Sequence, residues 1–108
     1  MTLDLAAPIS AFFEATNRHD PDAVAECFTE DGLVHDENAD HRSRAAIRQW
    51  ADGTYRKYDV TLTPRDARDD GRTSTVTAGV AGTFPGSPIE LPFRFALDGD
   101  RIAELVIG

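Results

Sequence analysis

Two residues that can transfer protons, His35 and Asp36, stand side by side in the chain. The short stretch around them, residues 33–37, is predicted to be a strand because Gly32 precedes it and a polar segment, residues 38–42, follows it. Successive side chains of a strand point to opposite faces, so only one of the two can enter a given cavity. A carboxyl group or an imidazole in such a place can act as a general acid or base. For His35, a surface position and a role as proton shuttle are both open.

The other histidines and the single cysteine have no spacing typical of a metal site. Cys27 has no second cysteine with which to form an intrachain disulfide, and we interpret it as a small buried apolar residue. His19 and His41 fall in predicted loops, where histidines are mostly structural or solvated. The sequence therefore predicts no bound metal and no other cofactor.

The composition limits the partners that the chain can have. Its 108 residues are 41% hydrophobic and 28% charged, which is typical of one globular domain spanning residues 1–108. The formal net charge of -8 repels phosphate backbones and anionic membranes, so neither nucleic acid nor a membrane is expected as a partner. The N-terminal residues 1–5 lack the basic and apolar pattern of a leader. We therefore expect a cytoplasmic protein.

Apolar spacing and capping residues predict three helices in the first half of the chain. Large apolar residues recur at helical spacing between Leu5 and Arg18. Asp20 is a suitable N-cap for a second helix, because a proline and another acid follow it. Ser43 can cap a third helix that carries Trp50.

Beyond residue 58 the pattern changes to the alternation that is typical of strands. Three turn-forming segments, residues 69–71, 85–88 and 98–100, divide this half into four strands. The clearest alternation spans residues 89–97, whose apolar members would share one face of a sheet. Helices and strands are thus segregated along the chain, which predicts an α+β fold rather than a doubly wound α/β fold.

The run from Phe12 to Asp36, with its helix-turn-helix-strand order, is followed by the capped helix of residues 43–50. Together they resemble the nuclear transport factor 2-like superfamily, and within it the SnoaL-like and ketosteroid-isomerase-like branch. The likeness covers nearly the whole chain and implies a single SnoaL-like domain. It also implies a cone-shaped, curved antiparallel sheet wrapped around three N-terminal helices, with an apolar pocket inside. Because this fold carries both enzymes and binders, the likeness does not define a reaction.

The resemblance assigns roles to particular positions. At the general-base position of ketosteroid isomerases this chain has Asp36, whereas the two donors that stabilise the enolate in those enzymes fall on Phe12 and Leu91. We therefore do not expect a true ketosteroid isomerase. The inner strand positions also lack the arginine and aspartates of the epoxide-hydrolase members. A polyketide-cyclase-like reaction needs mainly a shaped apolar pocket and one general acid or base, and it remains compatible with these residues.

The same likeness implies which surfaces meet a ligand and a partner. Buried among aromatic side chains, Asp36 would be desolvated, which raises the pKa of a carboxyl group toward a useful value. Glu90, Arg94 and Glu104 are expected on the outer face of the sheet, where a second subunit would form a homodimer. We expect a small apolar molecule to be bound by Phe12, Phe28, Trp50, Tyr55, Leu91 and Phe93.

Three functions are open at this point. The first is a cofactor-independent enzyme of isomerase, cyclase or lyase type, in which Asp36 moves a proton and His35 is a second candidate. The second is a non-catalytic module that binds a small apolar ligand. The third is a dimerisation scaffold whose pocket is closed by side chains. The enzyme differs from the others because it needs the carboxyl group of Asp36 to face a ligand.

Overall fold

A computed structural model describes residues 4–108 of the chain. Residues 1–3, part of the segment expected to lack a leader pattern, lie outside this description. No helix within residues 4–108 has both the length and the apolar character needed to cross a bilayer. The elements are the helices α1 (Ala7–Asn17), α2 (Pro21–Glu26) and α3 (Arg44–Tyr58) and the strands β1 (Phe28–Asp36), β2 (Ala39–Arg42), β3 (Thr61–Asp69), β4 (Thr73–Ala81), β5 (Ile89–Asp98) and β6 (Arg101–Ile107).

The strands form one sheet in the order β2-β1-β6-β5-β4-β3, and the helices pack against it. The prediction of an α+β fold with three N-terminal helices and a curved sheet is confirmed. One detail of the expected antiparallel sheet is wrong, because β1 and β6 pair in parallel. A parallel pair needs a long crossover, and here α3 and four strands lie between the two partners.

The core lies between α1 and the inner face of β5. Phe12 stands at its centre, with ring centroids 5.4 Å from Phe13, 5.5 Å from Phe95, 6.2 Å from Phe28 and 6.4 Å from Phe93. All five rings are buried, and all four pairs meet edge to face or tilted, which aromatic quadrupoles favour. The alternation of β5 is as predicted, since Phe93 and Phe95 point inward while Arg94 is exposed.

The boundaries around β1 differ from those predicted. Helix α2 ends at Glu26, and β1 already begins at Phe28 rather than at residue 33. The segment expected to be a polar loop contains β2, which pairs with β1 in an antiparallel hairpin. The hairpin closes through Glu37 and Asn38, whose φ angles of 53° and 62° suit a two-residue turn. This turn was not predicted from the sequence, because two-residue hairpin turns usually contain glycine and Glu37 and Asn38 take its place here.

Two glycines provide a paired test of the local packing. Gly53 lies exposed within α3, and a Cβ atom there would have no neighbour within 4 Å. We expect Gly53→Ala to raise the free energy of unfolding by about 1 kcal/mol, since glycine is a poor helix former. In Gly82→Ala the new methyl group would overlap the carbonyl oxygen of Tyr58, so stability should fall. Urea denaturation checks both, and a loss of stability in Gly53→Ala would contradict the assignment of an open site.

Candidate functional site

A cavity of about 220 Å³ lies between the helices and the inner face of the sheet and is partly open to solvent. Most of its wall is apolar and includes Phe12, Trp50, Leu91, Phe93 and Ile107. These side chains do not fill the cavity, whereas a dimerisation scaffold was expected to have a pocket closed by side chains. Its polar members are Thr16, Asp36, Glu37, Thr54 and Tyr58.

Asp36 is placed in the wall by the end of β1. Its Oδ2 atom accepts a hydrogen bond from the indole Nε1 of Trp50 at 3.0 Å. Burial raises the pKa of the Asp36 carboxyl above its usual range, the Trp50 N–H opposes this effect, and Glu37 adds to it. A nearby His41 lowers the same pKa to a smaller extent. A half-buried carboxyl group with a raised pKa is a stronger base than an exposed one, and this suits it to act as a general acid or base.

Trp50 reaches this position because of where α3 begins. The side chain of Ser43 caps the helix by accepting from the backbone N–H of Ala46 at 3.3 Å. Ile47 and Ala51 are buried against the core, and Trp50 therefore stands at the edge of the buried face. One turn later, the Thr54 hydroxyl donates to the carbonyl oxygen of Trp50 at 2.9 Å.

Removing the indole N–H should change the acidity of Asp36 in a defined direction. In Trp50→Phe the carboxylate loses a donor that stabilises its charged form, so we expect the pKa of Asp36 to rise further. The matched control is Tyr58→Phe, because the Tyr58 hydroxyl donates to Glu37 rather than to Asp36. Carbon-13 NMR titration of the carboxyl carbon measures both. An Asp36 pKa that stays unchanged in Trp50→Phe would contradict the role of this hydrogen bond.

Glu37, Tyr58 and Phe84 stand together in the cavity wall. The Tyr58 hydroxyl donates to Oε1 of Glu37 at 3.0 Å, which links the end of β1 to the end of α3. Phe84 meets the Tyr58 ring edge to face at a centroid distance of 5.8 Å. Lys57 Nζ lies 4.9 Å from the centroid of the same ring. Glu37 has a left-handed backbone because it is the first residue of the two-residue turn between β1 and β2.

The structure brings together some of the predicted site residues and separates others. Phe12, Trp50, Leu91 and Phe93 share the cavity wall with Asp36. Phe28 and Tyr55, which were expected to contact the ligand, do not line the cavity. Phe28 is fully buried against the Phe12 ring, and Tyr55 faces the other side of α3, where its ring stacks on His19.

His35 lies on the opposite face of β1 from Asp36, as strand alternation predicts. Its Nδ1 atom is 2.6 Å from Oδ1 of Asp40 on the neighbouring strand β2. The imidazole is 41% exposed and does not line the cavity. The geometry is that of a surface histidine in a hairpin, and a proton shuttle through His35 is not supported by it.

Several wall residues carried no clear sequence signal. Thr16 could have been found, since it lies one turn after Phe12 on the same helix face. Glu37 and Phe84 lie in turn segments whose geometry depends on packing against Tyr58. Within residues 4–108, no three histidine, cysteine or acidic side chains converge as ligands for a metal ion.

The fold and the cavity are those of a class of proteins, the SnoaL-like members of the nuclear transport factor 2-like superfamily. The model of the SnoaL-like domain family matches residues 9–105. The chain therefore belongs to the SnoaL-like domain family, and the resemblance suggested by its sequence is confirmed. No curated protein matches the chain.

Solved structures give the same result. A protein from Sinorhizobium meliloti, provisionally described as a polyketide cyclase, is 35% identical, with a TM-score of 0.94 over 97% of this chain and 96% of that one. A ketosteroid-isomerase-like protein from Catenulispora acidiphila, solved with trimethylamine, is 22% identical, with a TM-score of 0.84 over 97% and 86%. SalBIII, an epoxide hydrolase/cyclase-like enzyme of salinomycin pyran ring formation, is 22% identical, with a TM-score of 0.79 over 93% and 85%. At 22% identity the likeness concerns the fold alone.

Proposed function

We propose that this protein is a cofactor-independent enzyme that moves a proton on a small apolar carbonyl compound, with Asp36 as the general acid and base. The observation that carries the proposal is the position of Asp36. Its carboxyl group lies half-buried in the wall of an apolar cavity, with one oxygen held by Trp50. Burial raises its pKa, as a proton-transferring carboxyl group requires. Isomerisation, ring closure and elimination all begin with such a transfer.

The reaction follows from the chemistry of the carboxyl group. Asp36 accepts a proton from the carbon next to the substrate carbonyl, so that the C–H bond breaks and its electron pair forms an enolate. Where the enolate is conjugated with a C=C double bond, return of the proton to the far carbon of that conjugated system gives an isomer. Attack of the enolate carbon on a second carbonyl group of the same molecule closes a ring, and Asp36 returns its proton to the new alkoxide. The indole N–H of Trp50 holds the carboxyl group of Asp36 in place through both proton transfers.

The size of the cavity limits the substrate. A dry cavity of about 150 Å³ binds benzene, and this cavity measures about 220 Å³. One ring with a short substituent therefore fits inside, while a tetracyclic molecule would project from the mouth. The similarity to a protein described as a polyketide cyclase supports the cyclase alternative. The absence of donors at Phe12 and Leu91 argues against the isomerisation of steroids.

Deuterium exchange into a simple ketone tests the proposal, whatever the natural substrate is. Cyclohexanone has acidic protons beside its carbonyl group and fits the cavity. We expect the protein to accelerate deuterium incorporation at these carbons in D₂O above the buffer rate, with saturation as the ketone concentration rises. Methylenecyclohexane, which has the same shape and no carbonyl oxygen, should inhibit. Exchange at the buffer rate in the presence of a bound ketone would overturn the proposal.

A second candidate function is the binding of a small apolar molecule without catalysis. The observation that favours it is the apolar wall itself, since binding needs no more than a preformed apolar cavity. The similar protein from Catenulispora acidiphila holds trimethylamine in its crystal structure. Saturable binding of cyclohexanone with no exchange would support this alternative.

We propose a homodimer through the outer face of the sheet, in a cytoplasmic protein whose residues 1–108 form one domain. Charged side chains lie on this face, where Arg65 pairs with Glu90 at 3.1 Å and Arg94 donates to the carbonyl oxygen of Gly108 at 3.1 Å. Light scattering at micromolar concentration tests the assembly, and a monomer mass would contradict it. A single unfolding transition tests the domain assignment, and cell fractionation tests the location.

A further inference from the structure

The hydroxyl group of Tyr55 is buried without a hydrogen-bond partner among residues 4–108. Burial raises the pKa of Tyr55 to about 12, so the group stays protonated in the physiological range. A buried hydroxyl group without a partner costs about 1–3 kcal/mol, and native proteins rarely leave one in this state. The O–H of Tyr55 therefore needs an acceptor close to its present position.

The neighbouring acceptor is Thr16. Its side chain lies near enough to lower the pKa of Tyr55, although the two hydroxyl groups do not yet have ordinary hydrogen-bond geometry. Thr16 is itself only 6% exposed, and it lines the cavity that Tyr55 does not reach. Thr16 is thus both a neighbour of the buried Tyr55 hydroxyl and a member of the cavity wall.

The ring of Tyr55 is held rigidly. It stacks on His19 at a centroid distance of 4.7 Å and an interplanar angle of 15°. His19 is fixed in turn, because its Nε2 atom lies 2.9 Å from the carbonyl oxygen of Val60 and 3.6 Å from Oδ1 of Asp59. A donor that is fixed before a ligand arrives stabilises charge without the cost of reorganisation.

We propose that Thr16 is the second polar binding group of the cavity, whose hydroxyl donates to a carbonyl oxygen of the ligand, and that Tyr55 is a positioning residue which donates to Oγ1 of Thr16. The proposal rests on the function proposed for Asp36, since it names the group that receives the oxygen of the same substrate. It defines the ligand as a neutral ketone or a related carbonyl compound.

The chemistry of a threonine in a helix explains the direction of this relay. The Thr16 hydroxyl has one proton, which in an empty cavity can turn back to the carbonyl oxygen of Phe12, four residues earlier. When Tyr55 donates to Oγ1, the Thr16 proton becomes a stronger donor. A ligand oxygen that gains negative charge offers a better acceptor than the Phe12 carbonyl. Thr16 could in this way replace the donor that Phe12 cannot supply.

Infrared spectroscopy of bound, carbon-13-labelled cyclohexanone measures this hydrogen bond directly. In the unmodified protein we expect the carbonyl stretch at a lower frequency than in an alkane solvent, and tighter binding of cyclohexanone than of methylenecyclohexane. Thr16→Val removes the hydroxyl group at nearly constant shape, so the frequency shift should disappear and the preference for the ketone should fall about three- to tenfold. Thr16→Ser should restore both.

Two further variants separate this proposal from its alternatives. Tyr55→Phe should reduce the frequency shift in part, because Thr16 then keeps its proton but loses its orienting donor. Asp36→Ala should keep the frequency shift. If instead the shift is lost in Asp36→Ala and survives in Thr16→Val, the donor is Asp36 and the proposal is overturned. Failure of the ketone to bind the unmodified protein would also overturn it. A shift without deuterium exchange would refute catalysis by Asp36 and leave the Thr16 donor established.

Discussion

Replacing Asp36 by asparagine is expected to lower the rate of deuterium exchange into cyclohexanone by about 10²–10⁴-fold, the usual contribution of a general base. Asparagine has nearly the same shape and keeps an oxygen that can accept from Trp50 Nε1. It cannot take up a proton from carbon. NMR detection of the deuterated ketone measures the loss, and circular dichroism verifies that the variant is folded.

The exposed Asp31, on the same strand, provides the matched control, since Asp31→Asn removes an equal charge away from the cavity. Its exchange rate should equal that of the unmodified protein. In the unmodified protein the rate should rise with pH through the raised pKa of Asp36, because only the carboxylate accepts a proton. Full exchange activity in Asp36→Asn would assign the base to another residue.

The same variant should be more stable than the unmodified protein at neutral pH. Because burial raises the pKa of Asp36, the folded chain binds more protons than the unfolded chain between the usual and the raised value, and stability falls as the pH rises through this window. Above this pH window, the folded protein bears the full desolvation cost of the buried Asp36 carboxylate. Asp36→Asn removes that cost, with an expected gain on the order of 1 kcal/mol. Below the usual pKa of the group the gain should vanish.

The parts of the fold that depend on local chemistry could be predicted from the sequence. Asp20 caps α2 by accepting from the backbone N–H of Ala23 at 3.1 Å, as its position before Pro21 indicates. Ser43 caps α3 in the same way. The strand alternation of β5 depends on the period of its own apolar residues and is independent of its neighbours.

The remaining features depend on contacts between distant parts of the chain. No local sequence pattern indicates that β1 pairs in parallel with β6, because the two strands are far apart in the chain and are separated by α3 and the meander. Strand β2 exists because Glu37 and Asn38 adopt left-handed backbones, and no glycine indicates the turn. Residues with equal apolar character therefore cannot be divided between core and cavity until the sheet is assembled.

The candidate site shows the same division. The position of Asp36 was predicted from the family resemblance, but its partner Trp50 Nε1 could be identified only once α3 was placed beside β1. Phe28 and Tyr55 were expected in the wall because they are aromatic and because the family resemblance implies an aromatic pocket. Aromatic character alone does not distinguish a residue that faces a cavity from one that fills the core beside it.

The second large effect is expected from Phe12, which belongs to both environments. Its ring contacts four other buried phenylalanine rings and also forms part of the cavity wall. Phe12→Ala should lower the free energy of unfolding by about 3–5 kcal/mol, as truncation of a buried phenylalanine does. It should also enlarge the cavity, so that the bicyclic ketone 2-decalone gains affinity relative to cyclohexanone. Urea denaturation and calorimetric titration measure the two changes.

Phe95 allows the two effects of Phe12→Ala to be separated. Its ring is fully buried in the same aromatic cluster, yet it does not line the cavity. Phe95→Ala should therefore lose a similar amount of stability and keep the ligand preference of the unmodified protein. If Phe12→Ala does not fold, Phe12→Leu should show the same two changes with smaller magnitude, because part of the side chain remains. Equal ligand preferences in the Phe12 and Phe95 variants would show that Phe12 does not limit the cavity, and substrate size would then be set by other residues of the wall.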